Sequence, residues 1–532
     1  MIEAFNSGLE REGEGGSINK SVSFEIFSFE INTYEDPWMD NGLENFFRVL
    51  RDLESCEVEL TSGSIKVEIR SKEGFIKELT GKILEKRRNL LVTDKDKKTG
   101  EKKEVRKDHL LLQEEKKIGG KVAFKEDLYK PEKTAEIVSK VFELREGKNR
   151  CILCGNVFDK GVKKLQQANY PFVTKIASLS GVRSYKDGGI LSLKEYYENL
   201  CPLCYLIGVL AWTDEAMVYR TFPGEKSFLF LPIFDNLKKL HEFKCNCVDS
   251  GILKNTEERY SNIKVNPNSE AVEQTPGEFS TLLCFYEKFV ESASEEVAAS
   301  DWAILQIPFG AVKNIKMDFV KISDGILGTI KELKDEGTLE RIYSDSIKKM
   351  YFFSEGENKK AVDWDMSREI QEKLSKNFLY DDFRAFTRSL LPRRGGYVSF
   401  STEVRRNLEE LIFVWRCRRM GVPKERLDAI KSVGNIIAKV SKNNAALLYK
   451  MDKARTVDEF WSVLREIARK ITGMEEKELR KIRPKALDEL IHLVKDIVEM
   501  DKEGWKEARD LLVVYSSMYY AIDKMPKGGE AQ

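Results

Sequence analysis

The stretches "NRCILCGN" (149–156) and "NLCPLCYLIG" (199–208) each hold two cysteines separated by two residues, and 46 residues lie between Cys154 and Cys201. A CxxC turn delivers two thiolates to one ion. Two such turns supply the four soft ligands of a tetrahedral site with no open coordination position. Gly155, directly after the second cysteine, tolerates the left-handed turn that aims backbone N–H groups at sulfur. The leading reading is a closed, structural Zn2+ site made by Cys151, Cys154, Cys201 and Cys204, joining two distant segments. Three rivals stay open. "CPLC" ahead of the apolar "YLIGVLAW" has the form of a redox pair at a helix N-terminus. Four cysteines also ligate iron–sulfur clusters, though usually at denser spacing. Cysteines also serve as plain core residues.

Working outward, 532 residues correspond to roughly three to four domains. The apolar content of 42% suffices for ordinary packed cores. The longest apolar run, "SFLFLPIF" (227–234), is far short of the ~20 residues a membrane span needs. The acidic start, "MIEAFNSGLEREGEGG", lacks the apolar segment of a secretory signal. A soluble, cytoplasmic protein without membrane contact is therefore expected. Nine cysteines, an odd number in a long chain, do not form a disulfide scaffold. The charged fraction of 33%, rich in Lys and Glu, suits a heat-adapted source.

The net charge of +1 sets up no global field, but its distribution is uneven. Residues 384–450 hold 15 Lys/Arg against 5 Asp/Glu, and residues 81–120 hold 13 against 8. Two basic islands in a neutral chain suit contact with a polyanion at defined places. Solvated faces of a helix and a hairpin account for them equally well.

The fold class expected from periodicity is α+β, with an inserted zinc-binding segment and a C-terminal α-helical bundle. Residues 1–150 read as a mixed α+β domain. "SVSFEIFSFEI" (21–31) alternates with a phase switch that implies a β-bulge. In "YEDPWMDNGLENFFRVLRDL" (34–53), Leu43, Phe46, Phe47, Leu50 and Leu53 form a helical stripe, with Asp40 or Asn41 as N-cap. "CEVELTSGSIKVEIR" (56–70) is a hairpin, and 90–112 is a longer basic hairpin whose tip carries Lys98 and Lys102. Residues 151–247 are the cysteine segment, including the glycine-flanked Arg183 and Lys186. Residues 248–365 form a mixed middle region. It opens on a polar stretch to about 280 that reads as a linker, and it contains a buried strand at "WAILQIPF" (302–309). From 366 to 532 the pattern is helical. Thr456 and Glu459 make a capping box, and Pro484 suits a helix N1 position.

Catalytic signatures are absent. There are only three histidines, and no P-loop, G-x-S-x-G or zinc-deaminase pattern occurs. "HEFKCNC" (241–247) offers His241, Cys245 and Cys247 as substitute ligands, but a satisfied surface histidine among ordinary cysteines is the simpler reading. Asp363/Asp365 and Asp381/Asp382 read as caps and turns. In 381–421 the arginines stand out. Arg384 and Arg388 share a helical face, and Arg393 and Arg394 sit on a Pro/Gly-flanked loop. Arg405, Arg416 and Arg419 flank the buried stripe Val404, Leu408, Leu411 and Trp415. That arrangement suits a nucleic-acid backbone; a basic bundle surface with no ligand is the alternative.

The two separated CxxC pairs, the mixed N-terminal region and the C-terminal helices resemble the CXXC–CXXC large subunit, a Cas-eight-type protein, of type I CRISPR–Cas interference (Cascade) complexes. "DPWMDNGL" (36–43) is similar to that family's early D-P-aromatic-x-D-x-G-aliphatic pattern, matching at Asp36, Pro37, Trp38, Asp40 and Gly42, with Asn41 where a small residue is usual. The middle third carries no matching mark. The resemblance implies a non-catalytic subunit that recognises a target-flanking motif in DNA, stabilises the R-loop and docks a helicase-nuclease. Its partners would be guide CRISPR RNA, target DNA and the backbone and handle-binding subunits. The competing expectation is a zinc-stabilised nucleic-acid-processing enzyme, a nuclease with an unrecognised acidic site.

Overall fold

The computed structural model describes residues 27–85, 89–95, 102–108, 116–118, 121–123, 131–143, 147–159, 200–216, 218–222, 226–254, 262–265, 268–269, 271–292, 299–307, 317–337, 339, 341–355, 360–393, 395–418, 424–441, 445–474, 488–493, 495 and 504–523. They are mixed α and β with helix predominating. Two compact units emerge: residues 1–272 with 293–320, and residues 273–292 with 321–532. The middle region of the sequence is thus shared between them. No helix among the described residues is long and apolar enough to cross a membrane.

The first unit is organised around one helix. Strand β1 (Phe27–Asn32) pairs antiparallel with β3 (Ser64–Ile69), which pairs with β2 (Cys56–Leu60) as the expected hairpin. Phe29 and Ile31 of β1 and Ile65, Val67 and Ile69 of β3 point into the core, as a period of two requires. The bulge expected in 21–31 falls largely outside the described residues. Helix α1 (Pro37–Arg51) follows β1, and α2 (Lys72–Glu85) follows β3. Strands β4 (Asn89–Lys95) and β5 (Lys102–Asp108) pair as the expected longer hairpin. Lys102 opens β5, and Lys98 lies outside the described residues. Short strands β6 (Lys116–Ile118) and β7 (Lys121–Ala123) come next, then α3 (Pro131–Ser139).

The cysteine segment contributes a small hairpin, β8 (Asn149–Arg150) with β9 (Val157–Phe158), and a wholly buried helix, α4 (Pro202–Leu210). A second sheet runs β10 (Val218–Phe222), β11 (Lys226–Ile233), β14 (Asp301–Ile307), β15 (Met317–Lys321). The apolar runs that begin at Ser227 and Trp302 supply its two central strands, and residues 228–232 and 302–305 are buried on both faces, as continuous apolar runs imply. Helix α5 (Leu237–Asp249) and strands β12 (Leu253–Lys254) and β13 (Asn262–Ile263) complete the unit, so the polar stretch from 248 is not wholly a linker.

Helix α1 does not begin where its apolar stripe suggested. Asp36, not Asp40 or Asn41, is the N-cap, and its carboxylate accepts from the amides of Trp38 and Met39, each at 2.9 Å. Pro37 sets the start one turn earlier, because its φ is pre-organised for a helix and its missing N–H is not needed there. Asp40 instead reaches back to accept from Tyr34 N at 2.6 Å and Asp36 N at 3.1 Å. Eleven of the fifteen residues of α1 are buried, Asn41, Glu44 and Asn45 among them. A helix buried around most of its circumference must find internal partners for its polar side chains.

The second unit opens with α6 (Glu278–Ser292) and α7 (Asp324–Asp335), then the short α8 (Ile342–Asp345). Its sheet is β17 (Lys360–Asp363), β16 (Tyr351–Glu355), β18 (Gly396–Ser399). The helices are α9 (Trp364–Leu379), α10 (Phe383–Ser389), α11 (Thr402–Ile412), α12 (Lys424–Ser441), α13 (Ala446–Lys453), α14 (Val457–Thr472) and α15 (Gly504–Asp523). Among the described residues from 366 onward, β18 is the one strand in an otherwise helical succession of elements, and its four residues are all buried. Pro484 lies outside the described residues.

Glu372 of α9 caps the start of α6, accepting from Phe279 N at 2.6 Å, Ser280 N at 3.1 Å and Ser280 Oγ at 2.6 Å. Thr456 caps α14, accepting from Glu459 N at 3.2 Å, and Glu459 accepts from Arg455 N, one residue before the cap. After α11 the chain widens into a π-helical turn (Phe413–Arg418) that seats Trp415 among Phe378, Phe383 and Phe386, all edge-on to it. The Trp415 indole N–H donates to Asp381 at 2.7 Å.

Candidate metal centre and paired arginines

The four cysteines converge. Their sulfurs all lie within 4.8 Å of one another, and Cys154 and Cys201 approach to 3.7 Å. A tetrahedral ion with metal–sulfur bonds of about 2.3 Å sets its ligands about 3.8 Å apart, so the cluster has the size of one mononuclear site. It is too wide for any disulfide, whose sulfurs stand ~2.05 Å apart.

Each half is built locally. On the hairpin side, Cys151 N donates to Asn156 O at 2.8 Å and Gly155 N donates to Cys151 O at 2.9 Å. Gly155 turns the chain at φ +72°, a conformation glycine adopts without strain. On the helix side, Cys201 is the N-cap of α4 with Pro202 behind it at N1. Cys204 N donates to the sulfur of Cys201 at 3.4 Å, and Cys201 N donates to that of Cys151 at 3.4 Å. Amide donors aimed at sulfur, and a helix N-terminus, both favour thiolate. Thiol donation from Cys154, Cys201 and Cys204 holds Cys151 far below the usual thiol range. Cys201, which donates to Cys151, and Cys204, buried, are pushed well above it. Four protons cannot leave so small a space unless a cation replaces them. Cys151, Cys154, Cys201 and Cys204 therefore fit a metal ion in both spacing and donor chemistry.

The centre is anchored to α1. The Tyr34 hydroxyl lies 3.3 Å from the Cys204 sulfur. Helix α4 crosses α1 at Gly42, where a Cβ would lie 2.8 Å from the Ile207 carbonyl oxygen. Asn45 Nδ2 donates to Leu210 O at 2.6 Å, satisfying a carbonyl at the C-terminal end of α4. Trp38 packs edge-on against Trp212, with ring centroids 4.9 Å apart. "DPWMDNGL" and the CxxC pairs, remote in sequence, thus form one body.

A second cluster lies along α1 on its polar positions 41, 44, 45 and 48. Glu44, fully buried, accepts from Arg48 Nε at 2.9 Å and pairs with Lys244 Nζ at 3.0 Å. Lys244, also buried, donates to Asp214 at 2.6 Å and to Asn41 O at 2.9 Å. Arg48 also binds Asp214. His241 Nδ1 lies 2.7 Å from Glu44 Oε1. The cations of Lys244 and Arg48 hold both Glu44 and Asp214 below the usual carboxylate range despite their burial. Glu44, Arg48, Asp214 and Lys244 were not singled out from the sequence, although the spacings of three, four and seven along α1 were visible there. His241 is half-buried in this network, not a surface residue.

The five described arginines among those predicted from the sequence are paired within the second unit. Arg384 donates to Asp510 at 2.5 Å and to the Asp452 carbonyl at 2.6 Å, and Arg388 donates to the Asp452 carboxylate at 2.9 Å. Arg393 stands 3.8 Å from Glu369. Arg405 stands 3.6 Å from Glu409 and over the Tyr519 ring, and Arg416 stands 3.6 Å from Glu507 and over Phe383. Arg388 is the most exposed of the five, at 49%. Val404, Leu408, Leu411 and Trp415 form the expected buried stripe. Arg183, Lys186, Arg394 and Arg419 lie outside the described residues. Asp363 and Asp382 cap α9 and α10, and Asp365 pairs with Arg368. No protein-family model matches the chain, and none of the curated proteins matches it.

Proposed function

We propose that this chain is the non-catalytic large subunit of a type I CRISPR RNA-guided DNA surveillance complex, acting in the cytoplasm. In this reading it recognises the target-flanking motif, stabilises the R-loop and presents a docking surface for the helicase-nuclease. One observation carries most weight. The elements that carry the two marks of the family resemblance, "DPWMDNGL" on α1 and the second cysteine pair at the start of α4, pack on each other: Gly42 meets Ile207, Trp38 meets Trp212, and the flanking residues Asn45 and Tyr34 reach Leu210 and Cys204. Residues that a family shares because they build one substructure are expected to meet in this way.

Zn2+ held by Cys151, Cys154, Cys201 and Cys204 would be structural, since four sulfurs leave no position for water or substrate. The chain's own contribution is then to hold strands apart. R-loop formation is a near-balanced exchange of duplexes, tipped by backbone contacts. In the C-terminal helices, read as a bundle, Arg388 and Arg393 are the most exposed of the predicted arginines that are described, at 49% and 31%. They would trade the carboxylates of Asp452 and Glu369 for a backbone oxygen. The basic β4–β5 hairpin, whose second strand opens at Lys102, is a second such element.

The test is co-expression with a guide RNA and the repeating backbone subunit, followed by purification and DNA binding across a salt series. Co-purification of the chain with both is expected, with binding that weakens as salt rises. Neutralising Arg388 and Arg393 should lower the salt slope by about 2. Magnesium-dependent cutting of single-stranded DNA by the chain alone, lost on changing Asp363 or Asp381, would refute the reading in favour of a nuclease. Failure to assemble would also count against it.

A further inference from the structure

Of the described cysteines outside the metal cluster, Cys56, Cys247 and Cys284 are buried and Cys245 alone is half-buried. Burial pushes Cys56 up to about 11 and raises Cys247 well above the thiol range, so neither is a nucleophile at neutral pH. Cys245 stands one helical turn after His241 on α5, its sulfur 3.6 Å from Nε2 and 3.8 Å from Nδ1. Near-equal distances to both nitrogens put the sulfur beside the middle of the N–C–N edge or over the ring. It is not on the axis of one N–H. That geometry does not relay a proton. It sets a sulfur against the centre of charge of an imidazolium.

A carboxylate holds the ring from its other side. Glu44 reaches Nδ1 at 2.7 Å. The contacts with Cys245 and Glu44 raise His241 to about 9, against partial burial. The other charged groups around it are Arg48 on α1, Lys244 on α5 and Asp214, all bound to one another or to Glu44. The Phe47 ring meets the imidazole edge-on, with centroids 5.1 Å apart.

We propose that Cys245 is a reactive thiol and the chain's site of reversible S-thiolation by low-molecular-weight disulfides. The thiolate attacks one sulfur of the small disulfide. A new S–S bond forms to Cys245, the old S–S bond breaks, and the displaced thiolate leaves with the electron pair, so no further oxidant is needed. The imidazolium stabilises the attacking anion, and Glu44 fixes the ring. His241 is a positioning residue.

The experiment incubates the intact, metal-loaded chain with oxidised glutathione at pH 7 and follows adducts by peptide mass mapping. One adduct per chain, at Cys245, is expected and should be reversed by dithiothreitol. His241→Gln should slow its formation by about threefold or more, and His241→Lys should restore part of the rate. A measurement on the unmodified sequence guards against misfolded variants: Cys245 should react faster in the native chain than in the chain unfolded by guanidinium. Slower native reaction, adducts mainly elsewhere, or an unchanged rate in folded His241→Gln would each overturn the proposal.

Discussion

Replacing Gly42 by alanine and Gly81 by alanine adds one methyl to each of two helices and should move stability in opposite directions. Inside a helix, alanine is better than glycine by about 0.5–1 kcal/mol. At Gly81, exposed on α2, a Cβ meets nothing within 4 Å, so that gain stands alone. At Gly42 the methyl would sit 2.8 Å from Ile207 O, 3.1 Å from Ala211 Cβ and 3.2 Å from Ile207 Cγ2, against the 3.4 Å at which ordinary contact begins. The nearest atom is backbone, so no rotamer change relieves the clash and α4 must retreat from α1. Over-packing of this kind costs about 1–3 kcal/mol. Less the helix gain, Gly42→Ala should lose about 1–2 kcal/mol and lower the melting temperature by about 2–5 °C. The retreat also moves Cys201 and Cys204, so the variant should release metal to a chromogenic chelator faster than the parent does. Tryptophan fluorescence suits the melts, because Trp38 and Trp212 touch beside the contact. If Gly42→Ala melts at or above the parent while Gly81→Ala gains as expected, the close crossing of α1 and α4 is refuted.

Three further outcomes are expected. Cys201→Ser keeps an N-cap acceptor for α4, so the stability it loses, several kcal/mol for a structural zinc site, measures metal and not capping; metal content by mass spectrometry should fall in step with the melting temperature. Lys244→Met leaves Glu44 and Asp214 buried with one cation fewer and should cost about 3–5 kcal/mol by denaturant unfolding, part of it recovered by adding Glu44→Gln. Burial pushes Glu287 up to about 8 and Glu372 to about 7, both above the unfolded carboxylate value of 4.5. A raised carboxyl favours the folded state fully only below the unfolded value, and this advantage is lost as pH rises through the folded one. The second unit should therefore lose stability between about pH 4.5 and 8, and Glu287→Gln should flatten the upper part of a melting-temperature profile.

What was legible in the sequence was what repeats or pairs locally. The CxxC spacing pointed to four converging sulfurs, the β2–β3 hairpin and the strand at 301–307 followed from alternation and apolar runs, and the Thr456–Glu459 cap from its motif. The stripe containing Trp415 was legible from its helical period. Less legible was anything decided by a neighbour remote in the chain. Asp40 looked like a cap until Pro37 fixed the helix one turn earlier. Glu44 drew no reading at all, because nothing local announces that Lys244 covers it. The arginines from 384 to 416 formed a basic island on paper, since Asp452, Glu507 and Asp510, which neutralise three of them, lie far along the sequence. Charge counted in a window is not charge available at a surface.

The wrapping of α1 also sets a schedule for synthesis. Asn41 and Lys244 are 203 residues apart, and α4, α5 and Asp214 all follow α1 by a comparable distance. At about 5–20 residues per second, a ribosome takes roughly 10–40 s to deliver them after α1 has emerged. Among the described elements made before α4, β2 and α2 are the ones that pack on α1 and can shield its apolar face in that interval. The acidic side chain of Glu44 must wait in water. The nascent chain thus carries a long-lived, half-covered apolar helix, a natural customer for a ribosome-bound chaperone.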